Sequence, residues 1–252
     1  MRYNIYMHKY LTDFNEYNTV PPVYLEKPLS DEDIAEVRAI LMKAEVTYGI
    51  VDASQQSHHY QPRIMKDLSR LVTEFKMPES IEQKINQYIL PMYKKEIKLS
   101  HFSYLGYDPK YSDYKITPAL PPHIDAANTL LTFNFQIGGN IDWDIYVDGE
   151  RFELKNGDAL VFSAVNQIHW RPKRKWKKGD FTEILTVNFS PLDDWRFDPM
   201  GIDPLQADDE LLQRYMKDLD ENPRMRKAWD LYNEMGNELG IPRELHGVFE
   251  EN

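Results

Sequence analysis

The spacing of apolar positions along the chain changes near residue 96. Ahead of that point it is helical. Ser30 precedes DEDIAEVRAILMKA, in which Ile34, Val37, Ile40, Leu41 and Ala44 make one stripe. Ser30 with Asp33 forms a capping-box-like start. Ile64, Met65, Leu68, Leu71, Val72 and Phe75 share a second helical face. Ile81, Ile85, Tyr88 and Ile89 share a third, with Pro78 in the first turn and Pro91 as terminator. Residues 1–29, tyrosine-rich with PP at 21–22, read as a leading strand or arm. DASQQSHHYQP is polar and aperiodic; within it His58 to Pro62 is a candidate lid segment.

From residue 96 the period becomes that of strands. EIKLSHFSYLGY alternates, and TLLTFNFQI, WDIYV, RFELK, ALVFS, QIHW and FTEILTVNF follow as short β-type runs. GGN, DGE, NGD and KKGD mark the turns, and VDGE between IY and RFEL predicts a hairpin. These runs predict seven or eight strands. After residue 191, PLDDWRFDPMGIDP reads as a loop. ADDELLQRYMKDLDEN and PRMRKAWDLYNEMGNELG then read as helices, expected to brace the core or to make a homodimer contact. The pattern predicts an α+β fold, with helices packed outside an antiparallel β-sandwich or barrel. It divides one integrated domain into an N-terminal arm and supporting helices (1–95), a β core (96–192) and a C-terminal helical extension (193–252).

Composition narrows this little but usefully. The chain has 252 residues, 42% apolar and 13% aromatic, enough for a sizeable core. Cysteine is absent, which excludes a disulfide framework, a thiolate metal site and a cysteine nucleophile. A reducing, cytoplasmic setting is expected. MRYNIYMHKYLTDF has no apolar h-region, and no run approaches the roughly 18 apolar residues of a membrane span. The net charge of −11 disfavours general nucleic-acid binding. RPKRKWKK, residues 171–178, is the basic exception, with six of eight residues cationic, and reads as a solvated loop.

Candidate chemistry begins in PPHIDAANTLLTFNFQ, residues 121–136. In a strand, residues i and i+2 face one side, so His123 and Asp125 point together. A mononuclear metal site needs a third ligand. His169, in NGDALVFSAVNQIHW, lies on a β-element 44 positions after Asp125. His101, also on a strand, is its main competitor. His8, His58, His59 and His246 have weaker contexts. Two imidazoles and a carboxylate make the facial triad of non-haem Fe(II) oxygenases, which leaves three positions open. Zinc hydrolysis accepts the same three ligands and needs one.

HID, then LxxGDALVFxxxxxIHWR, then a final β-run resembles the 2-oxoglutarate- and Fe(II)-dependent dioxygenases, in particular their prolyl-hydroxylase-like branch, over residues 97–190. The resemblance implies a double-stranded β-helix, or jelly roll. It also implies His123, Asp125 and His169 as iron ligands, with 2-oxoglutarate and dioxygen as co-substrates. In that family an arginine about ten residues after the second histidine commonly holds the distal carboxylate. Here KKGDFTEIL offers Phe181 or Thr182 instead. Arg171, two residues after His169, should share its face at roughly 6.5–7 Å and can fork onto a carboxylate. Lys178 is the second choice. Tyr104 is a candidate phenol donor, because related enzymes use a tyrosine on an early core strand. Thr132, Asn134 and Gln136 fall on one face of TFNFQI, which meets solvent or lines the site.

The resemblance implies hydroxylation with release of succinate and CO2. A carboxylate at position 125 favours hydroxylation, or another oxidation, over halogenation. An amino acid, another small molecule or a peptidyl residue fits as substrate. Two alternatives compete: a metal-dependent hydrolase or lyase on a cupin-like barrel, with Glu183 as its acid, and a non-catalytic jelly-roll binding module.

Overall fold

The structure, a computed structural model, describes residues 21–44, 70–72, 75–92, 97–108, 120–125, 130–164, 167–191 and 223–241. The segment 58–62 and the helix expected over 207–222 lie outside these residues. Strand β1 (Val23–Leu25) leads into helix α1 (Asp31–Lys43). The capping box forms as the sequence indicates: Asp33 N–H donates to Ser30 Oγ at 3.2 Å, and Ser30 N–H to Asp33 Oδ2 at 3.1 Å. Lys84 Nζ also reaches Asp33 Oδ2, at 2.7 Å, tying α1 to helix α2 (Glu79–Ile89). Ile81, Ile85 and Ile89 are the buried face of α2, whereas Tyr88 turns outward. Pro78 caps α2 from one residue before its first turn, and a single 3-10 turn, Leu90–Met92, follows it.

The helix expected over 64–75 is not what forms at its C-terminal end. Arg70–Val72 is a strand, β2, paired antiparallel with β3 (Ile97–Tyr107) at Arg70↔Gly106 and Val72↔Tyr104. Short apolar runs fit either period, and an open sheet edge with unpaired N–H and C=O groups decides in favour of the strand.

Eight more strands complete two antiparallel sheets: β3, β4 (Leu120–His123), β5 (Leu131–Gly139), β6 (Ile145–Val147), β7 (Glu150–Phe152), β8 (Ala159–Phe162), β9 (His169–Arg171) and β10 (Thr182–Pro191). Six strands run in the order β1-β8-β5-β10-β3-β2, and four in the order β4-β9-β6-β7. Both β1 and β2 precede residue 96, so the N-terminal segment supplies strands as well as helices. The VDGE hairpin forms between β6 and β7, with Asp148 at φ 51° and Gly149 at φ 87° as its central pair. Two consecutive positive φ values are what a tight primed turn requires.

Alternation along the six-stranded sheet separates two environments. Leu131, Phe133, Phe135 and Ile137 of β5, with Leu185, Val187 and Phe189 of β10, pack outward with α1 and α2 in the largest apolar cluster. The other face looks across to the four-stranded sheet. There Leu160 and Phe162 meet Ile145 and Val147 in one cluster, while Tyr107 and Ile184 meet Leu120, Trp143 and Trp176 in another. Between these apolar clusters lie Thr132, Asn134, Gln136 and Asn188, all buried.

The C-terminal helix α3 (Pro223–Glu238) braces the four-stranded sheet from outside. Met225 and Tyr232 pack with Ile124, Ile168 and Trp170. Its apolar face is thus used within the chain, and the bracing role is the one the described residues show. The basic run 171–178 is only partly a solvated loop: Arg171 and Lys173 are buried, and Lys175, Lys177 and Lys178 are exposed. Lys173 lies 4.9 Å from the Tyr232 ring centroid, in space that Gly236 leaves by lacking a Cβ.

One glycine gives a direct test of the outer packing. A Cβ at Gly138 would land against Glu183 Oε2, which holds Arg38 Nη2 at 2.7 Å. Gly138→Ala is expected to cost about 1–3 kcal/mol by overpacking. Urea unfolding should show a lower midpoint with an unchanged slope.

Candidate metal centre and anion pocket

The short strands β4 and β9 pair with Leu120 opposite Arg171 and His123 opposite His169, with an irregularity between. β4 is an edge strand, which is where Pro121 and Pro122, lacking N–H groups, can sit. His123 therefore closes a short strand, and Asp125 lies beyond its end instead of sharing the strand with it as the spacing predicts. Asp125 follows β4, and its backbone N–H donates to Ala164 O at 2.9 Å, which fixes its direction.

The three side chains expected to converge do so. Asp125 Oδ1 lies 3.6 Å from His123 Nε2 and 3.5 Å from His169 Nε2, and the candidate ligand atoms all lie within 4.8 Å of one another. Each imidazole is held by its other nitrogen. His123 Nδ1 donates to Pro121 O at 2.8 Å, and His169 Nδ1 to Gln167 O at 3.1 Å. These bonds place the lone pair of each Nε2 toward the centre. Burial, reinforced by His169, pushes the His123 pKa down to about 3. Burial raises the Asp125 pKa, but the two histidines outweigh it and hold the carboxyl below its ordinary value. Two lone pairs and a carboxylate thus face one point with no donor between them, and a cation is what such a donor set accepts.

His101 is not part of the group. Asn188 Nδ2 donates to its Nε2 at 2.8 Å, and Thr132 Oγ1 donates to Asn188 Oδ1 at 2.9 Å. A polar row therefore crosses β3, β10 and β5 on the inner face, so TFNFQI turns its polar side inward rather than to solvent.

Arg171 shares the inner face with His169, while Trp170 between them points outward, stacked on Tyr146 at 4.2 Å. Arg171 is 0% exposed, and burial pushes its pKa down to about 10. Its Nη1 donates to Trp143 O and its Nη2 to Asn134 Oδ1 at 3.4 Å; Nε has no partner among the described residues. The Trp143 ring lies 5.5 Å from its Cζ, and Trp143 Nε1 donates to Pro172 O at 2.7 Å. Among the described residues no carboxylate pairs with this guanidinium. A buried cation held only by neutral groups is costly unless an anion joins it.

Two other expected residues do not converge. Tyr104 lies on the outer face of β3, where its phenol donates to Glu183 Oε1 at 2.8 Å. Lys178 is exposed in the turn before Gly179. Tyr104→Phe is expected to cost about 1.5–3 kcal/mol of stability, the range for a hydrogen bond to a charged group, without changing metal or keto-acid affinity. Chemical denaturation and calorimetric titration would check the two halves. Glu183 also faces outward, so the acid of the hydrolase alternative is on the wrong side of the sheet. The role of Trp143 was not visible beforehand, because its backbone oxygen does the holding.

No protein-family model matches the sequence, and no curated protein matches it. Solved structures do. The non-haem α-ketoglutarate-dependent epimerase SnoN from nogalamycin biosynthesis aligns with a TM-score of 0.51 at 13% identity, covering 80% of this chain and 91% of that one. HygX from Streptomyces hygroscopicus, with nickel, 2-oxoglutarate and hygromycin B bound, gives 0.49 at 9% identity, covering 73% and 87%. The viral collagen prolyl hydroxylase of Paramecium Bursaria Chlorella virus-1 gives 0.47 at 9%, covering 68% and 96%. Two facing antiparallel sheets with helices outside, and the SnoN alignment, give this chain the double-stranded β-helix fold of the 2-oxoglutarate- and Fe(II)-dependent oxygenases.

Proposed function

We propose that the protein is a non-haem Fe(II)- and 2-oxoglutarate-dependent oxygenase that hydroxylates a small molecule, an amino acid or a peptidyl residue. The observation that carries this reading is a pairing on one short strand: His169 faces the metal point, and Arg171, two residues on, is a buried cation that no carboxylate pairs with among the described residues. His123, Asp125 and His169 would hold the iron. The iron, when bound, supplies dioxygen activation coupled to oxidative decarboxylation of the keto acid. Arg171 would bind the far carboxylate of 2-oxoglutarate, whose length suits the roughly 6.5–7 Å between same-face neighbours on a strand. Asn134 and the Trp143 carbonyl aim the guanidinium. The apolar clusters on either side exclude water from the inner wall. Asp125 keeps a carboxylate at the third ligand position, which supports hydroxylation over halogenation.

Atoms balance as keto acid, dioxygen and substrate C–H going to succinate, CO2 and alcohol. The test is succinate release from Fe(II) and 2-oxoglutarate, screened across amino acids, peptides and small molecules. Dependent succinate formation supports the reading. Metal-dependent hydrolysis without succinate, or no affinity for Fe(II) at all, would sink it.

A further inference from the structure

A second polar group on the inner wall lacks a partner. Gln136 is 2% exposed, and its Oε1 makes no hydrogen bond among the described residues. Its backbone is fully engaged: its N–H donates to Asp158 O at 2.9 Å, and its C=O accepts from Gly157 N–H at 2.8 Å. The strand is therefore fixed, and only the side-chain amide is free to choose a partner. Gln136 lies two positions along the same face from Asn134, which holds Arg171 Nη2. It is in register with Ile184, and Ile184 packs with Trp143 and with Leu120, the cross-strand partner of Arg171. Arg171 Nε and Gln136 Oε1 are thus two groups without a hydrogen bond among the described residues, linked through shared neighbours on the inner face, Asn134 and the Ile184 cluster.

An acceptor beside an anion pocket looks misplaced until the amide is turned. Rotation by half a turn exchanges its oxygen for an NH2 at no cost in shape. A carboxylate on Arg171 would still have lone pairs to offer that NH2. We propose that Gln136 is the second arm of the carboxylate clamp, turning its Nε2 to donate to the far carboxylate of the keto acid held by Arg171. The proposal rests on the reading of Arg171 as the co-substrate's anchor. It places on the middle of β5 a donor that the start of β10 does not supply, since Phe181 and Thr182 are not basic.

Three variants of the full chain, loaded with Fe(II) under nitrogen, test it with 2-oxoglutarate as the probe. Calorimetry reads its affinity, and thermal unfolding reads stability with and without it. Gln136→Leu removes the orphaned carbonyl, so the unliganded protein should melt higher, while 2-oxoglutarate binds about ten-fold or more weakly. Opposite signs in the two readouts are what a packing role alone would not produce. Gln136→Glu places a carboxylate where it can take Arg171 internally, so affinity should fall by at least about a hundred-fold. Arg171→Gln is the reference. If it abolishes binding while both Gln136 variants bind as the parent does, the clamp proposal is overturned and the Arg171 reading stands. If Arg171→Gln also binds as the parent does, both fall.

Discussion

His169→Ala will not retain Fe(II), and its succinate release will fall by more than the 10–100-fold that loss of a mere outer-shell partner costs a metal site. The variant leaves His123 and Asp125 in place, and two ligands enclose an ion less completely than the three whose candidate ligand atoms lie within 4.8 Å of one another. The most direct check is the stabilisation that binding confers. Fe(II) added anaerobically should raise the melting temperature of the parent protein in proportion to the logarithm of its concentration over Kd. The same addition should leave His169→Ala unmoved. Among the described residues the substitution loses two ring contacts, with His123 at 4.1 Å and with Phe162 at 4.9 Å, and no partner in the largest apolar cluster. The unliganded variant should therefore fold. Loss of the metal response in a folded protein separates ligation from packing. A parent-like response in the variant would mean that the metal point lies elsewhere.

Arg171→Gln should raise the KM for 2-oxoglutarate at least about a hundred-fold, because breaking a buried ion pair from one side costs about 3–5 kcal/mol. Fe(II) affinity should not change, since among the described residues the guanidinium contacts Trp143 O, Asn134 and the Trp143 ring, and none of the three candidate metal ligands. At saturating keto acid kcat should be largely preserved, which distinguishes a binding group from one acting in the chemical step. Arg171→Lys should fall between, because an ammonium cannot fork onto two oxygens. An apolar replacement, Arg171→Met, should stabilise the unliganded protein by removing a buried charge whose hydrogen-bond partners among the described residues are neutral. A parent-like KM in all three would remove Arg171 from the site.

How much of this was legible beforehand depended on whether a side chain's face followed from local spacing. His169 and Arg171 share a side because i and i+2 on a strand must, whereas Asp125 joins His123 from just beyond the end of β4, directed by its N–H bond to Ala164 O. Asn134 followed from the same rule, since the alternation in TFNFQI is unambiguous. Tyr104 was named as a phenol donor from family likeness alone, and its spacing could not test that, because β3 carries aromatic or apolar groups on both sides, Phe102 and Tyr104 outward, Leu105 and Tyr107 inward. Where both faces are buried, alternation does not say which looks inward. Lys178 failed for a different reason: KKGD is a turn, and a turn points its cations at water. β2 was misread because its three residues gain their conformation from the edge of β3, an interaction between segments about thirty residues apart. The Trp143 carbonyl and the sealed Lys173 depend on backbone and helix placement, which no side-chain pattern encodes.

β9 has only three residues, and its first and third carry the histidine and the arginine. A register slip of a single position against β4 would rotate both outward together and bring the Trp170 indole in their place. On the proposed reading, iron affinity and keto-acid affinity therefore share one mechanical fate: a change that slips this strand should erase both in step, where replacing the arginine side chain alone removes only the second.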